Sequence, residues 1–109
     1  MIRFGVNPIG WSNDDFHELG GKTPLEQCLK EAQQAGYTGI ELGHKMPRDP
    51  ENLKPLLDSH GLQLVSGWHS SFVLDRSAHE EERSLRTHLK FLKAMGCTLT
   101  VVAECARRN

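Results

Sequence analysis

A chain of 109 residues has room for one domain at most, at the lower end of the usual size range. Thirteen Lys and Arg against fourteen Asp and Glu leave a formal net charge of −1 without like-charge blocks, which argues against nucleic acid or an anionic membrane as partner. Cys28, Cys97 and Cys105 form no C-x-x-C pair and read as reduced thiols of a cytoplasmic protein. No stretch approaches the roughly 18 apolar residues of a membrane span, and no signal peptide is expected.

The first expected element is a strand over residues 2–7, in which Ile2, Phe4 and Val6 alternate until Asn7-Pro8 stops the run. The polar and aromatic segment NPIGWSNDD follows. Thr23-Pro24-Leu25-Glu26 has the form of a capping box with proline in the first helical turn. Behind it Leu25, Cys28, Leu29, Ala32 and Ala35 share one helical face. Gly36 then leads into a strand over 37–42. Asp49-Pro50 starts a second helix, expected over about 50–60 and kinked if Pro55 lies beyond its first turn. Gly61 leads into a strand over 62–67. Ser77-Ala78-His79-Glu80 is a second capping box, opening a helix with the apolar stripe Leu85, Leu89, Leu92 and Met95. Gly96 leads into a strand over 97–103.

Three times, then, a helix ends in glycine and passes into an apolar strand. The class is α/β, in the order β-α-β-α-β-α-β, with right-handed crossovers and a parallel sheet expected. The pattern fits a doubly wound mini-domain or the parallel half of a (β/α)8 TIM barrel. In the second case one sheet face and both outer strands lie open, which favours self-association.

In either architecture, chemistry gathers at the C-terminal ends of the strands. Asn7, Trp11, Asn13, Asp14 and Asp15 follow the first strand. Glu41, His44, Lys45 and Arg48 follow the second, and Ser66, Trp68, His69, Ser70 and Ser71 the third. Glu104 ends the fourth. His69 is the acid–base candidate, because imidazole exchanges protons near neutral pH, and Glu104 is a second candidate catalytic group. Each has a plainer reading too. The tryptophans cover loops as readily as they stack on sugars, Glu41 suits a strand ion pair, and Lys45 and Arg48 suit solvated loop charges. His79-Glu80-Glu81-Glu82-Arg83 begins like H-E-x-x-H but has Arg83 where the second ligand belongs, so it reads as a solvated helix face and not a metal pair. His17, His60 and His88 read as surface or helix-end residues. Phosphate loops, dinucleotide fingerprints and nucleophile elbows are missing from the sequence.

GVNPIGWSNDD, TPLEQCLKEAQQAGYTGIELGHKMPRDP, HGLQLVSGWHSS and LKAMGCTLTVVAE together resemble the N-terminal part of the inosose dehydratase family, a branch of the xylose-isomerase-like barrels. The resemblance covers essentially the whole chain. It implies residues 1–109 as the first third of a single (β/α)8 domain, ending with strand four. It also implies a lyase of inositol catabolism that removes water from 2-keto-myo-inositol, with a sugar or sugar-phosphate isomerase or epimerase of the same superfamily as the alternative. A non-catalytic half-barrel that dimerises is a further alternative. A divalent metal, manganese or cobalt, is implied for the family, with its ligands on later strands and none on this chain, which would be inactive alone. Asn7, Trp11, Glu41, Lys45, Arg48, Trp68 and His69 match residue by residue, at positions that the resemblance implies are substrate contacts. The family commonly has Asn before the Lys, where this chain has His44.

Overall fold

A computed structural model describes residues 1–106. It is an α/β fold in the order β1 (Gly5–Val6), a 3-10 turn (Pro8–Gly10), α1 (Leu25–Gln34), β2 (Gly39–Glu41), α2 (Pro50–Asp58), β3 (Gln63–Ser66), β4 (Trp68–Ser71), α3 (Ala78–Ala94) and β5 (Val101–Glu104). Strands β1, β2 and β3 form one parallel sheet in that order, and β4 pairs in parallel with β5.

Each helix closes by the same local chemistry. Gly36, Gly61 and Gly96 take φ of 92°, 65° and 74°, a region where a Cβ would be strained. The next amide then turns back onto the helix: Tyr37 N–H donates to Ala32 O, Leu62 to Leu57 O and Cys97 to Leu92 O, at 3.1, 3.0 and 2.9 Å. This closure satisfies carbonyls that the helix end would otherwise orphan, and it sets the chain's direction into the following segment.

Helix starts are less uniform. Asp49 caps α2 by accepting from Glu51 N–H at 3.1 Å, and Ser77 caps α3 by accepting from Glu80 N–H at 3.1 Å. The expected Thr23 cap does not form. Pro24 is extended (φ −64°, ψ 148°) and is itself the residue before the first helical turn, so Thr23 sits one position too early. Its carbonyl is held instead by Lys45 Nζ. Helix α2 runs unbroken through Pro55.

Leu29 and Ala32 of α1, Leu53 and Leu57 of α2, and Leu92 of α3 with Met95 just past its end pack with Ile40 and Leu64 of the strands and Leu42 just past β2 into one core. All three helices therefore serve the same face. Ala35 and Leu89, expected in the apolar stripes, are exposed at the flanks of that contact. The first strand is shorter than its alternation suggests. Ile2 and Phe4 are 80% and 65% exposed, because among the described residues β1 has a neighbour on one edge only and nothing packs on them.

Two further corrections concern the strand ends. The register slips by one between Ile40 and Glu41, pairing Ile40 with Leu64 but Glu41 with Ser66, so β3 bulges there. Extended chain resumes after Gly67, and Trp68, His69, Ser70 and Ser71 pair with β5 as a strand, not as the loop expected of them. The last strand begins at Val101, later than residue 97, after Thr100 Oγ1 and Val101 N–H have both donated to Gly67 O.

Candidate active site

The polar mouth starts with Asn7. Its Oδ1 accepts from Ile9 N–H at 2.8 Å, which caps the 3-10 turn, and this aims its Nδ2 at Glu41 Oε1, 3.3 Å away. Glu41 is the last residue of β2. Its other oxygen accepts from Ser66 Oγ at 2.7 Å, so neighbouring strand ends β1, β2 and β3 are tied through one carboxylate. The bulge that pairs Glu41 with Ser66 makes this contact available.

An open cleft of about 610 Å³ lies over this pair, lined by Asn7, Asp14, Glu41, His44, Arg48 and Trp68 among others. Trp68 is 52% exposed, and its indole N–H donates to Ser70 Oγ at 3.0 Å, which fixes the ring without covering it. Arg48 is anchored by donating to the carbonyls of Gly43 and Met46 at 2.8 and 3.1 Å. Partial desolvation lowers its pKa, and the Asp14 charge opposes that shift. A carboxylate, a carboxamide, a guanidinium and an open aromatic face on one wall suit a polyhydroxylated ring: donors and acceptors for hydroxyls, and a flat apolar surface for C–H edges.

The structure therefore brings Asn7, Glu41, Arg48 and Trp68 together, and it separates the rest. Trp11 is half-buried against the core. Lys45 points away, donating to the carbonyls of Gly20 (2.9 Å), Gly21 (3.1 Å) and Thr23. Glu104 accepts from Val73 N–H at 3.1 Å and Ala106 N–H at 3.0 Å, and it does not line the cleft. His69, expected at the mouth, lies on the helix side at 7% exposure with Nε2 2.9 Å from Glu81 Oε1. The cause is local. Ser66 and Gly67 are consecutive buried residues, so the in–out alternation shifts there and every later side chain of the strand changes face.

Two features were missed at sequence level. Glu81, read as part of a solvated helix face, is buried, and it receives His69, the Phe72 amide (3.1 Å) and Arg76 Nε (2.7 Å). The hydrogen bond from His69, then that from Phe72, hold its pKa down to about 2. The second is the pairing of His44 with Asp14, Nδ1 to Oδ1 at 2.6 Å. Both residues are polar and close to strand ends, but 30 positions apart, so local spacing carries no sign of the contact.

No family model matches the chain. Curated relatives do match it. The chain is similar to inosose dehydratases. Identity is 42% over 103 residues with the inosose dehydratase of Geobacillus thermodenitrificans, covering 94% of this chain and 35% of that one. It is 43% over 106 residues with that of Glaesserella parasuis, covering 97% and 36%. The rhizopine catabolism protein MocC of Rhizobium meliloti is 48% identical over 103 residues, covering 94% and 32%. The chain thus spans about a third of the length of the curated relatives it matches.

Among the described residues, no group of three or more His, Cys, Asp or Glu is arranged to hold a metal ion. The oxygens of Glu41 face Asn7 and Ser66, His44 faces Asp14, and His69 faces Glu81. These residues do not fit the cage of a divalent metal. Nor is any helix among them long and apolar enough to cross a membrane.

Proposed function

We propose that this chain forms the substrate-binding wall of an inosose dehydratase, a lyase that removes water from 2-keto-myo-inositol in inositol catabolism. The observation that carries the reading is the coincidence of two facts. Similarity to inosose dehydratases extends over 94% of the chain, and the cleft holds four of the residues matched as substrate contacts, Asn7, Glu41, Arg48 and Trp68. In this reading Glu41 accepts hydrogen bonds from ring hydroxyls, while Asn7 and Arg48 donate to hydroxyl or ketone oxygens. Trp68 lies under the ring. Dehydration needs a proton removed beside the ketone and a hydroxide lost from the next carbon.

The chain would be part of a (β/α)8 barrel. The parallel pairing and the single helix-covered face support this, as do the exposed apolar side chains of Ile2, Phe4, Val65 and Val102, which suit further strands packed against them. The free thiols Cys28, Cys97 and Cys105 accord with a cytoplasmic, reducing setting.

The test has two arms on the 109-residue chain. Titration with 2-keto-myo-inositol, followed at the Trp68 indole N–H by NMR, is expected to show saturable binding that aldose phosphates do not reproduce. A turnover assay for the dione product is expected to stay at background. Equal response to aldose phosphates would transfer the reading to an isomerase or epimerase of the same superfamily, and robust turnover would overturn the view that this chain is inactive alone.

A further inference from the structure

We propose that the two open edges of this sheet are complementary to each other, so that a second copy of the chain closes an eight-stranded parallel barrel with it. This rests on the barrel reading given above and names the partner that supplies the further strands. At Gly67 the extended chain passes from pairing with β2 to pairing with β5: Leu42 N–H donates to Ser66 O at 3.0 Å, and Val101 N–H to Gly67 O at 2.9 Å. The strands therefore stand in one row, β1, β2, β3 continued by β4, and β5. Among the described residues β1 and β5 are the outermost.

On the helix-covered face of this row, exposed apolar side chains occur at its two ends. Phe4 shares that face with Val6, which packs on the core, and Val102 shares it with His69, its β4 partner, which meets Glu81 of α3. Ile40 and Leu64 on the inner strands are buried there, whereas Ile2, Phe4 and Val102 are exposed. Laying β1 of one copy along β5 of the other brings the two exposed rows together as cross-strand neighbours, and a two-fold axis repeats the seam on the far side. Within Gly5–Val6 and Val101–Glu104 there is no lysine, proline or register slip of the kind that keeps strand edges apart.

The exposed area is of the size that this pairing needs. The accessible surface is 7513 Å², whereas a compact monomer of 12.3 kDa exposes about 6,100 Å². The surplus is about 1,400 Å² per copy by that scaling. Hiding it on both copies removes about 2,800 Å², inside the range of about 2,000–5,000 Å² found in permanent homodimers. Parallel closure also puts the C-terminal ends of all the strands at one end of the barrel, so Glu41 and Trp68 of both copies surround one mouth.

Sedimentation of the 109-residue chain at micromolar concentration tests the pairing. The expected species has twice the 12.3 kDa chain mass and grows no further. F4K and V102E each put a charge on an exposed side chain and should each give the single chain mass. The double variant F4K/V102E should regain the double mass, since lysine and glutamate then meet across both seams. K54E, on an exposed turn of α2 over the inner strands, is the control that keeps the dimer. Val101 and Cys105 N–H point at β4, so by the strand's two-residue period Val102 N–H faces the open edge. Its deuterium exchange should be about tenfold slower in the wild-type chain than in F4K. A wild-type monomer, a ladder of growing polymers, or a double variant that stays monomeric overturns the pairing. Any of these with a saturable Trp68 indole response to 2-keto-myo-inositol leaves the substrate reading standing, and a monomer without that response overturns both.

Discussion

His69 Nε2 meets Glu81 Oε1 at 2.9 Å across the interface of β4 and α3, with both side chains nearly closed to solvent. The pair makes the fold acid-sensitive in a definite direction. Glu81 titrates near 2 when folded, below its ordinary 4.5, so its ionised form stabilises the fold fully above pH 4.5. That contribution is lost as pH falls from 4.5 toward 2. His88 adds an earlier loss. Burial, then the neighbouring His69, lower its pKa below 6.5, so the folded state resists protonation and stability drops as pH falls below 6.5. Urea midpoints from pH 8 to 2.5 should decline in two stages. H88N should flatten the upper stage and E81Q the lower, and an E81Q profile parallel to wild type below pH 4.5 would sink this assignment.

Glu41 is the residue through which binding and fold are coupled. In E41Q one oxygen becomes an NH2 donor, so the Ser66 hydroxyl must turn to accept where it now donates, and both bonds lose the charge of the carboxylate. The expected cost is about 1–2 kcal/mol of stability, with 2-keto-myo-inositol binding weakened about tenfold. Calorimetric titration and thermal melts of E41Q beside N7A separate the effects. N7A should lose binding with a smaller loss of stability, because Ser66 still serves the carboxylate.

Lys45 yields the opposite pattern. Its ammonium gathers the carbonyls of Gly20, Gly21 and Thr23, so its work is to hold the segment before α1. K45M should cost about 2–3 kcal/mol and speed amide exchange through residues 20–24, with little change at the Trp68 indole. K45R should not restore it, since a planar fork cannot converge on three carbonyls as a tetrahedral ammonium does. A ketopolyol affinity lowered as far as in E41Q would return Lys45 to the cleft.

What could be read from the sequence, and what could not, follows from the range of each interaction. The glycine closures and the Asp49 and Ser77 caps are contacts within a few residues, so their pattern is visible in the string of letters. Parallel pairing followed from the alternation of helices and strands. The Ser66–Gly67 shift is different, because nothing in LVSGWHSS marks where the in–out rhythm slips, and that single slip carries His69 from the mouth to the helix side. Glu81 was hidden for a related reason. In HEEER all three acids look alike, and only the middle one's position over β4 and the Phe72–Arg76 turn selects it for burial. The His44–Asp14 contact depends on two loops meeting in space.

Gly39 tests the geometry of the open sheet face directly. A Cβ there would lie 2.5 Å from Val65 Cγ1, although no positive φ is involved, so the objection to alanine is purely steric. Val65 is branched at Cβ and has little freedom to turn aside. G39A should cost about 1–3 kcal/mol, the usual range for overpacking. V65A alone should cost little, because the side chain is 41% exposed. In the double variant the clash is gone, so G39A/V65A should recover most of the loss, giving a coupling of at least about 1 kcal/mol in urea denaturation. Additive losses would mean that β2 and the β3 bulge do not approach as described, and the Glu41–Ser66 bond just beyond them would lose its support.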